Sequence, residues 1–322
     1  MAHRMRANLQ NEPAPTWRFV ARKLSEIFVV VLGATFFMFV LSHIIPGDPI
    51  RALFGFRPPP PEVLAELRDQ YGLDDPFPIQ YAKYLRNLLQ GEMGYSVYGA
   101  PVSGIIARGL PISLRLIGIT VLCQVAIGIG AAVVATLFHR RFVSVLIQGT
   151  ALLVLTIPIF AIAYTLQGVF GQQLGWFPIR GLFGGWRSFV LPAFTLAVVS
   201  TAIVVRMAQV QLLDTMEAPF IKTHQANGIG RPRLVGVHAL RASLVPIVTL
   251  IAATASQIVA GLIIVETVFQ IPGVGYSVYE AIRAKDHNVI VGILVMAVLF
   301  VVLVNLTADI LNGIIDPRIR RE

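Results

Sequence analysis

Few side chains in these 322 residues are of types that do chemistry. Hydrolytic or redox chemistry needs a nucleophile with a base beside it, or a cluster of metal ligands. The six histidines, at 3, 43, 139, 224, 238 and 287, are scattered along the chain, and no HExxH pairing occurs. The one cysteine, Cys123, stands in an apolar run, where a thiol acts as a small packing residue and supplies neither a disulfide framework nor a Cys-based metal site. The four lysines, at 23, 83, 222 and 285, complete no G-x-x-x-x-G-K-[ST] phosphate loop. His43 and Asp48 could pair across a loop, although the spacing suits a solvated turn better. No enzyme, no bound cofactor and no metal site is expected.

Polar chemistry concentrates instead in two segments. The first, QANGIGRPRLVGVHALRASLVP at 225–246, carries Arg231, Arg233 and Arg241 with glycines at 228, 230 and 236, and it lies between two long apolar runs. Pro219 suits a first helical position and Gly228 a left-handed cap, so 218–227 is expected as a short helix with Phe220, Ile221 and His224 along one side. Gly230–Arg231–Pro232 turns the chain, and a second helix from Pro232 carries Arg233, His238 and Arg241 onward. Held between two spans, this unit would serve as a stiff lever, or equally as an amphipathic segment resting on anionic headgroups. The second segment is VETVFQIPGVGYSVYEAI at 265–282. Pro272, Gly273 and Gly275 force a turn there, and Tyr276 and Tyr279 suit a membrane interface. A loop folded back over a cavity as an outer gate, or a plain interfacial anchor, fits this composition.

The elements that position these segments follow from composition. The chain is 56% hydrophobic and 13% charged, with a mean hydropathy of +0.73, whereas soluble domains carry about a quarter charged residues. It reads as an all-α polytopic membrane protein. Apolar runs of the ~20 residues a span needs occur near 24–45, 112–137, 143–170, 189–212, 245–267 and 289–311, about six helices. Arg4, Arg6, Arg18, Arg22 and Lys23, the His139–Arg141 turn, the 225–246 segment and Arg318, Arg320 and Arg321 fall on one side, which the positive-inside rule makes cytoplasmic. Both termini are expected there. The net charge of +9 then sets orientation and does not call for nucleic acid. The first run lacks a small-residue cleavage pattern and is not a removable signal.

The expected organisation is a cytoplasmic segment 1–23, a first span 24–45, an extracytoplasmic subdomain 46–111, a five-helix core 112–311 containing the cytoplasmic loop 213–244, and a tail 312–322. The subdomain has an acidic excess from residues such as Asp48, Glu62, Asp74 and Glu92. It opens with polyproline and a short helix from Pro61 to Gly72, serving as a solvated surface or as a docking surface. Pro158 and Pro192 are expected to bend their helices, and Arg206 to snorkel. Glu266 lies near an outer helix end, Asp309 near an inner one, and no ionisable residue falls mid-span. A transporter drawing on an ion gradient places carboxylates or His at that depth.

The loop resembles the EAA-type coupling loop of ABC-transporter permease subunits, in the branch importing dipeptides, oligopeptides and nickel. That branch reads YIRTARAKGL, a spacer, then HALRNALIP; this chain reads FIKTHQANGI and HALRASLVP at the same interval. IIPGDP at 44–49, YGLDDPFPIQY at 71–81, GEMGYS at 91–96, LGWFPIRG at 174–181, LPAFTLA at 191–197, IIVETVFQIPGVG at 263–275 and DPRIR at 316–320 extend the similarity to the B-type permease along nearly the whole chain. His224, Gln225, Ala226 and Asn227 replace the usual Ala-Arg-Ala-Lys, removing two basic residues from the helix.

The resemblance implies a type I ABC importer permease fold in a bacterial inner membrane. It implies a second homologous permease chain, two ATPase subunits or one fused ATPase holding ATP and Mg, and an extracytoplasmic binding protein. Phe220, Ile221, Lys222, Thr223, His224, Ala226, Asn227, Gly228 and Ile229 would form the ATPase-coupling loop. Glu266, Phe269, Pro272, Gly273, Gly275 and Tyr276 would form the outer gate, with Glu266 capping within the protein or touching a peptide amine. Gly128 and Gly130 would let helices approach closely. Di- or oligopeptides are the expected cargo, with nickel and glutathione as alternatives. A stand-alone secondary transporter and a docking scaffold are the rival classes.

Overall fold

The computed structural model describes residues 16–44, 60–70, 75–139 and 142–315. The His43–Asp48 pairing, most of the IIPGDP motif, Gly72, Arg140 and Arg141, and the arginine-rich ends lie outside the described residues or side chains. The described chain is helical: α1 (Thr16–Ile44), α2 (Pro61–Gln70), α3 (Phe77–Leu89), α4 (Val102–Leu137), α5 (Phe142–Thr156), α6 (Ile159–Gln173), α7 (Val190–Met216), α8 (Pro219–Ala226), α9 (231–242), α10 (Leu244–Val268), α11 (Val274–Ala284) and α12 (His287–Ile315).

Four of these, α4, α7, α10 and α12, are unbroken and apolar over a full bilayer width. The expected third span is instead a pair, α5 and α6, meeting at 103°. Pro158 stands at the α6 N-cap with ψ 139, so it breaks the helix outright where only a bend was expected. In α1 the apolar stretch is shorter, Ser25–Val40. Pro192 bends nothing. It sits in the first turn of α7, where its missing N–H has no intrahelical partner to lose. The second span begins at Val102, ahead of the expected residue 112, and runs through Gly109 and Pro111. Glycine and proline are the weakest helix formers, yet Gly109 serves contact: a Cβ there would lie 3.0 Å from the Gly273 and Val274 backbone.

α7 is the hub. Its most apolar window is 67% buried, against 22–33% in the other three unbroken spans, so those helices keep broad faces for lipid or other chains. Leu116, Leu196, Ile258, Leu262 and Phe269 form the core of one half of the bundle, termed outer after the orientation expected from the positive-inside rule. Val204, Leu212, Ile221, Leu234 and Ile247 form that of the inner half. Gly128 lies against α7, where a Cβ would meet Val204 Cγ1 at 2.9 Å, whereas Gly130 faces open space and mediates no close approach. Side chains also clamp the helices: Gln124 bonds Thr254, Gln148 bonds Gln209, Gln209 donates to Ser144 at 3.0 Å, and Asn312 donates to Thr249 at 2.8 Å. Such bonds between membrane helices are worth about 0.6–2 kcal/mol each.

Outside the spans, α3 packs across α1 through Phe36, Phe39, Phe77, Tyr81 and Tyr84, and Tyr81 Oη donates to the Leu32 carbonyl at 3.0 Å. Burial first, then the neighbouring Tyr81, pushes the Tyr84 phenol up to about 12. The GEMGYS segment is pinned to the corner between α11 and α12. Ser96 Oγ donates to Asp286 at 2.5 Å, the Val97 N–H donates to the same oxygen at 2.9 Å, and Asn288 Nδ2 donates to the Tyr95 carbonyl at 2.8 Å. The other oxygen of Asp286 accepts the Val289 N–H at 3.3 Å, an N-cap for α12.

Candidate functional site

The two polar segments become compact corners at opposite ends of α10. At 25 residues, that helix separates them by about 37 Å.

At the inner corner, α8 begins at Pro219 and ends at Ala226, as its sequence dictates. Its end is a Schellman closure: Gly228 at φ +81° donates to Gln225 O at 3.0 Å, and Ile229 donates to His224 O at 3.2 Å. A left-handed residue satisfies carbonyls the helix would otherwise leave open. Ile221 is fully buried and Ile229 packs against the same cluster, so one apolar stripe fixes the helix to α7 and α9. The expectation of a single side carrying Phe220, Ile221 and His224 is only partly met. Phe220 is 44% exposed and meets His224 edge-on, with ring centroids 6.4 Å apart. His224 stacks on His238 of α9 at 4.4 Å. Lys222, Thr223, Gln225, Ala226, Asn227 and Gly228 all face outward.

The second half of the loop departs from a regular helix. It widens into a π-turn over Leu234–Ala239 and breaks at Ser243 before α10 starts. Ser243 is buried, with its hydroxyl 2.8 Å from that of Thr215 on α7. Arg231 reaches the Thr136 carbonyl at the inner end of α4, 3.3 Å away. A small helix held by one stripe, with its outer faces free, is thus tied by its flanks to α4, α7 and α10. A push on α8 has somewhere to go.

At the outer corner, Glu266 is fully buried in the last turns of α10. Ser113 Oγ of α4 donates to its Oε1 at 2.5 Å, and the Tyr276 N–H donates to Oε2 at 3.0 Å. The same Ser113 oxygen accepts the Val274 N–H at 2.9 Å. Glu266 therefore caps α11, where a helix N-terminus favours an acceptor. The turn is packed to contact: a Cβ on Gly273 would stand 2.3 Å from the Glu266 carboxyl, and one on Gly275 would stand 2.7 Å from the Leu262 carbonyl carbon. Phe269 is 2% exposed, while Pro272 lies at the surface. All six expected residues meet in one turn. Ser113 was missed, because nothing in LPISLRL marks one serine among other span residues; only the tertiary fold brings it to the carboxylate.

Two family profiles cover this arrangement. One, binding-protein-dependent transport system inner membrane component, matches residues 124–321; the other, the N-terminal membrane component of such systems, matches residues 16–109. The chain is 31% identical to the dipeptide transport system permease protein DppB of Alkalihalophilus pseudofirmus, over 94% of this chain and 99% of that one. It is 31% identical to the di/tripeptide transport system permease protein DppB of Pseudomonas aeruginosa, with the same coverage. It is 29% identical to the glutathione transport system permease protein GsiC of Salmonella paratyphi A, over 94% and 98%. Among solved structures, the inward-facing MetNI methionine ABC transporter shares the fold at TM-score 0.56 and 17% identity, covering 66% of this chain and 96% of that one. The spans, the loop and both profiles agree: the chain belongs to the binding-protein-dependent transport system inner membrane components, the permease subunits of ABC importers.

Proposed function

We propose that the chain forms half of the translocation path of an ATP-driven importer of short peptides, worked from the cytoplasm through α8. The observation that carries the reading is the build of the inner corner. Its helix buries only Ile221 of its eight residues, is closed by a left-handed glycine, and is joined through Ser243 and Arg231 to the spans. A partner ATPase that grips the exposed faces of α8 drives the bundle as a rigid body. Hydrolysis of ATP with Mg takes place on that partner. A second permease chain completes the path, an extracytoplasmic binding protein delivers the cargo, and both termini lie in the cytoplasm.

Peptide cargo is supported by the relatives that match nearly end to end and are named for dipeptides and di/tripeptides. The glutathione permease stands almost as near, and glutathione is itself a short peptide. The test is uptake in proteoliposomes containing the whole complex. Labelled dialanine or glutathione should accumulate only with ATP and binding protein. Accumulation without any ATPase subunit, driven by an ion gradient, would contradict the reading.

A further inference from the structure

A second polar constellation stands beside the outer turn. A cleft of about 560 Å³ opens between the outer ends of α6 and α10, the 174–189 segment and α11. That volume lies within the ~300–1,000 Å³ of small-molecule sites. A cavity of similar size between α1, α4, α10 and α12 is almost wholly apolar. The outer cleft, in contrast, collects charges of both signs, from Arg180, Glu280 and Arg283, beside Tyr164 and Tyr276.

Its walls are held in place. Gln167 donates to the Ile179 carbonyl at 2.7 Å and to the Val268 carbonyl at 3.3 Å, and the Gly181 N–H donates to the Phe269 carbonyl at 2.9 Å. The backbone carrying Arg180 is therefore fastened to the end of α10. Gln270, in the same wall, adopts φ +50°, a left-handed conformation that a non-glycine residue keeps only where its surroundings enforce it, commonly at functional sites. Glu280 rides on α11, whose N-terminus is capped by Glu266.

The charges themselves are at most loosely paired. Arg180 has no ion-pair partner among the described residues. Arg283 and Glu280 approach only to 3.7 Å, at 66% and 47% side-chain exposure, a surface pairing that water competes with readily. Arg283 also leans over the Tyr279 ring at 5.8 Å, which holds its guanidinium beside Glu280.

We propose that this cleft is a receiving site for short zwitterionic peptides, in which Arg180 takes the terminal carboxylate and Glu280 the terminal ammonium. The inference rests on the peptide-import reading. A guanidinium presents two parallel N–H donors to a carboxylate, and a carboxylate accepts from an ammonium. Two guanidinium groups lining one cleft repel a divalent metal cation, so the same chemistry disfavours nickel as cargo. The site holds the peptide after its release from the binding protein and limits its escape to the outside before the path opens inward.

The test uses the complete complex in proteoliposomes with its binding protein and labelled dialanine, measuring both uptake and ATP hydrolysis. Arg180→Gln and Glu280→Gln should each lower the dialanine delivered per ATP by about fivefold or more, the scale of one lost charge-assisted hydrogen bond. Binding-protein-stimulated hydrolysis should stay at the wild-type rate, and Arg180→Lys should restore delivery in part. Unchanged delivery in both Gln variants overturns the inference and leaves the importer reading standing. A parallel fall in stimulated hydrolysis also overturns it, assigning the cleft to protein docking. A wild-type complex that hydrolyses ATP but imports neither dialanine nor glutathione overturns the peptide reading, and the inference with it.

Discussion

Gly228 is the residue on which the inner corner turns. It holds φ +81° with nothing within 4 Å of the position a Cβ would take, so a substitution there is opposed by the backbone and not by crowding. Gly228→Val should strain the closure of α8 by about 1–2 kcal/mol, the left-handed cost for a residue with a Cβ. Insertion into the membrane should remain normal while peptide delivered per ATP falls. Gly228→Asn should retain most delivery, because asparagine tolerates that conformation. Paired uptake and hydrolysis measurements on the two variants check this, and equal behaviour would count against the cap. Ser113 makes the matching case outside. It bonds Glu266 and Val274 together, so Ser113→Ala should leave a buried acceptor and an N–H unpaired. The expected loss is about 1–3 kcal/mol, read as a lower melting temperature of the purified complex.

Among the elements, α10 joins the two polar corners. At its outer end Gly275 lies against the Leu262 backbone and Gly273 against the Glu266 carboxyl, which separates glycines that pack from glycines that do not. Gly275→Ala should force Leu262 and the turn apart, costing about 1–3 kcal/mol as overpacking and lowering uptake. Gly130→Ala, with open space around it, should leave stability unchanged or raise it slightly. Thermal denaturation of both variants distinguishes them. The elements also show what was legible in sequence. The Pro219-to-Gly228 helix and the turn at Pro272 could be read residue by residue, because caps and turns are local chemistry. The start of α4 could not: Gly109 and Pro111 are weak helix formers, and the packing of the outer turn against Gly109 shows only in the fold. Pro158 and Pro192 look alike in sequence, and only position within a helix makes one a break and the other harmless. Ser113, Arg180 and Glu280 stayed invisible, since what matters is which distant segments they face.

Under the proposed function, the whole chain is a gate driven by a partner ATPase. α7 is enclosed by its neighbours, α4, α10 and α12 leave wide faces uncovered, and α8 projects its free sides away from the core. The purified chain should hydrolyse no ATP until ATPase subunits are added, as phosphate release in detergent would record. The most direct test is a single-cysteine cross-link. With Cys123→Ser as background, Thr223→Cys on the exposed side of α8 is paired with a cysteine scan of the ATPase surface in the intact complex, with and without nucleotide. A cross-link is expected at one defined ATPase cleft, with a yield that changes between the ATP-bound and nucleotide-free states. A Thr223→Cys complex that transports normally yet cross-links to no ATPase position in either state would contradict the proposed function.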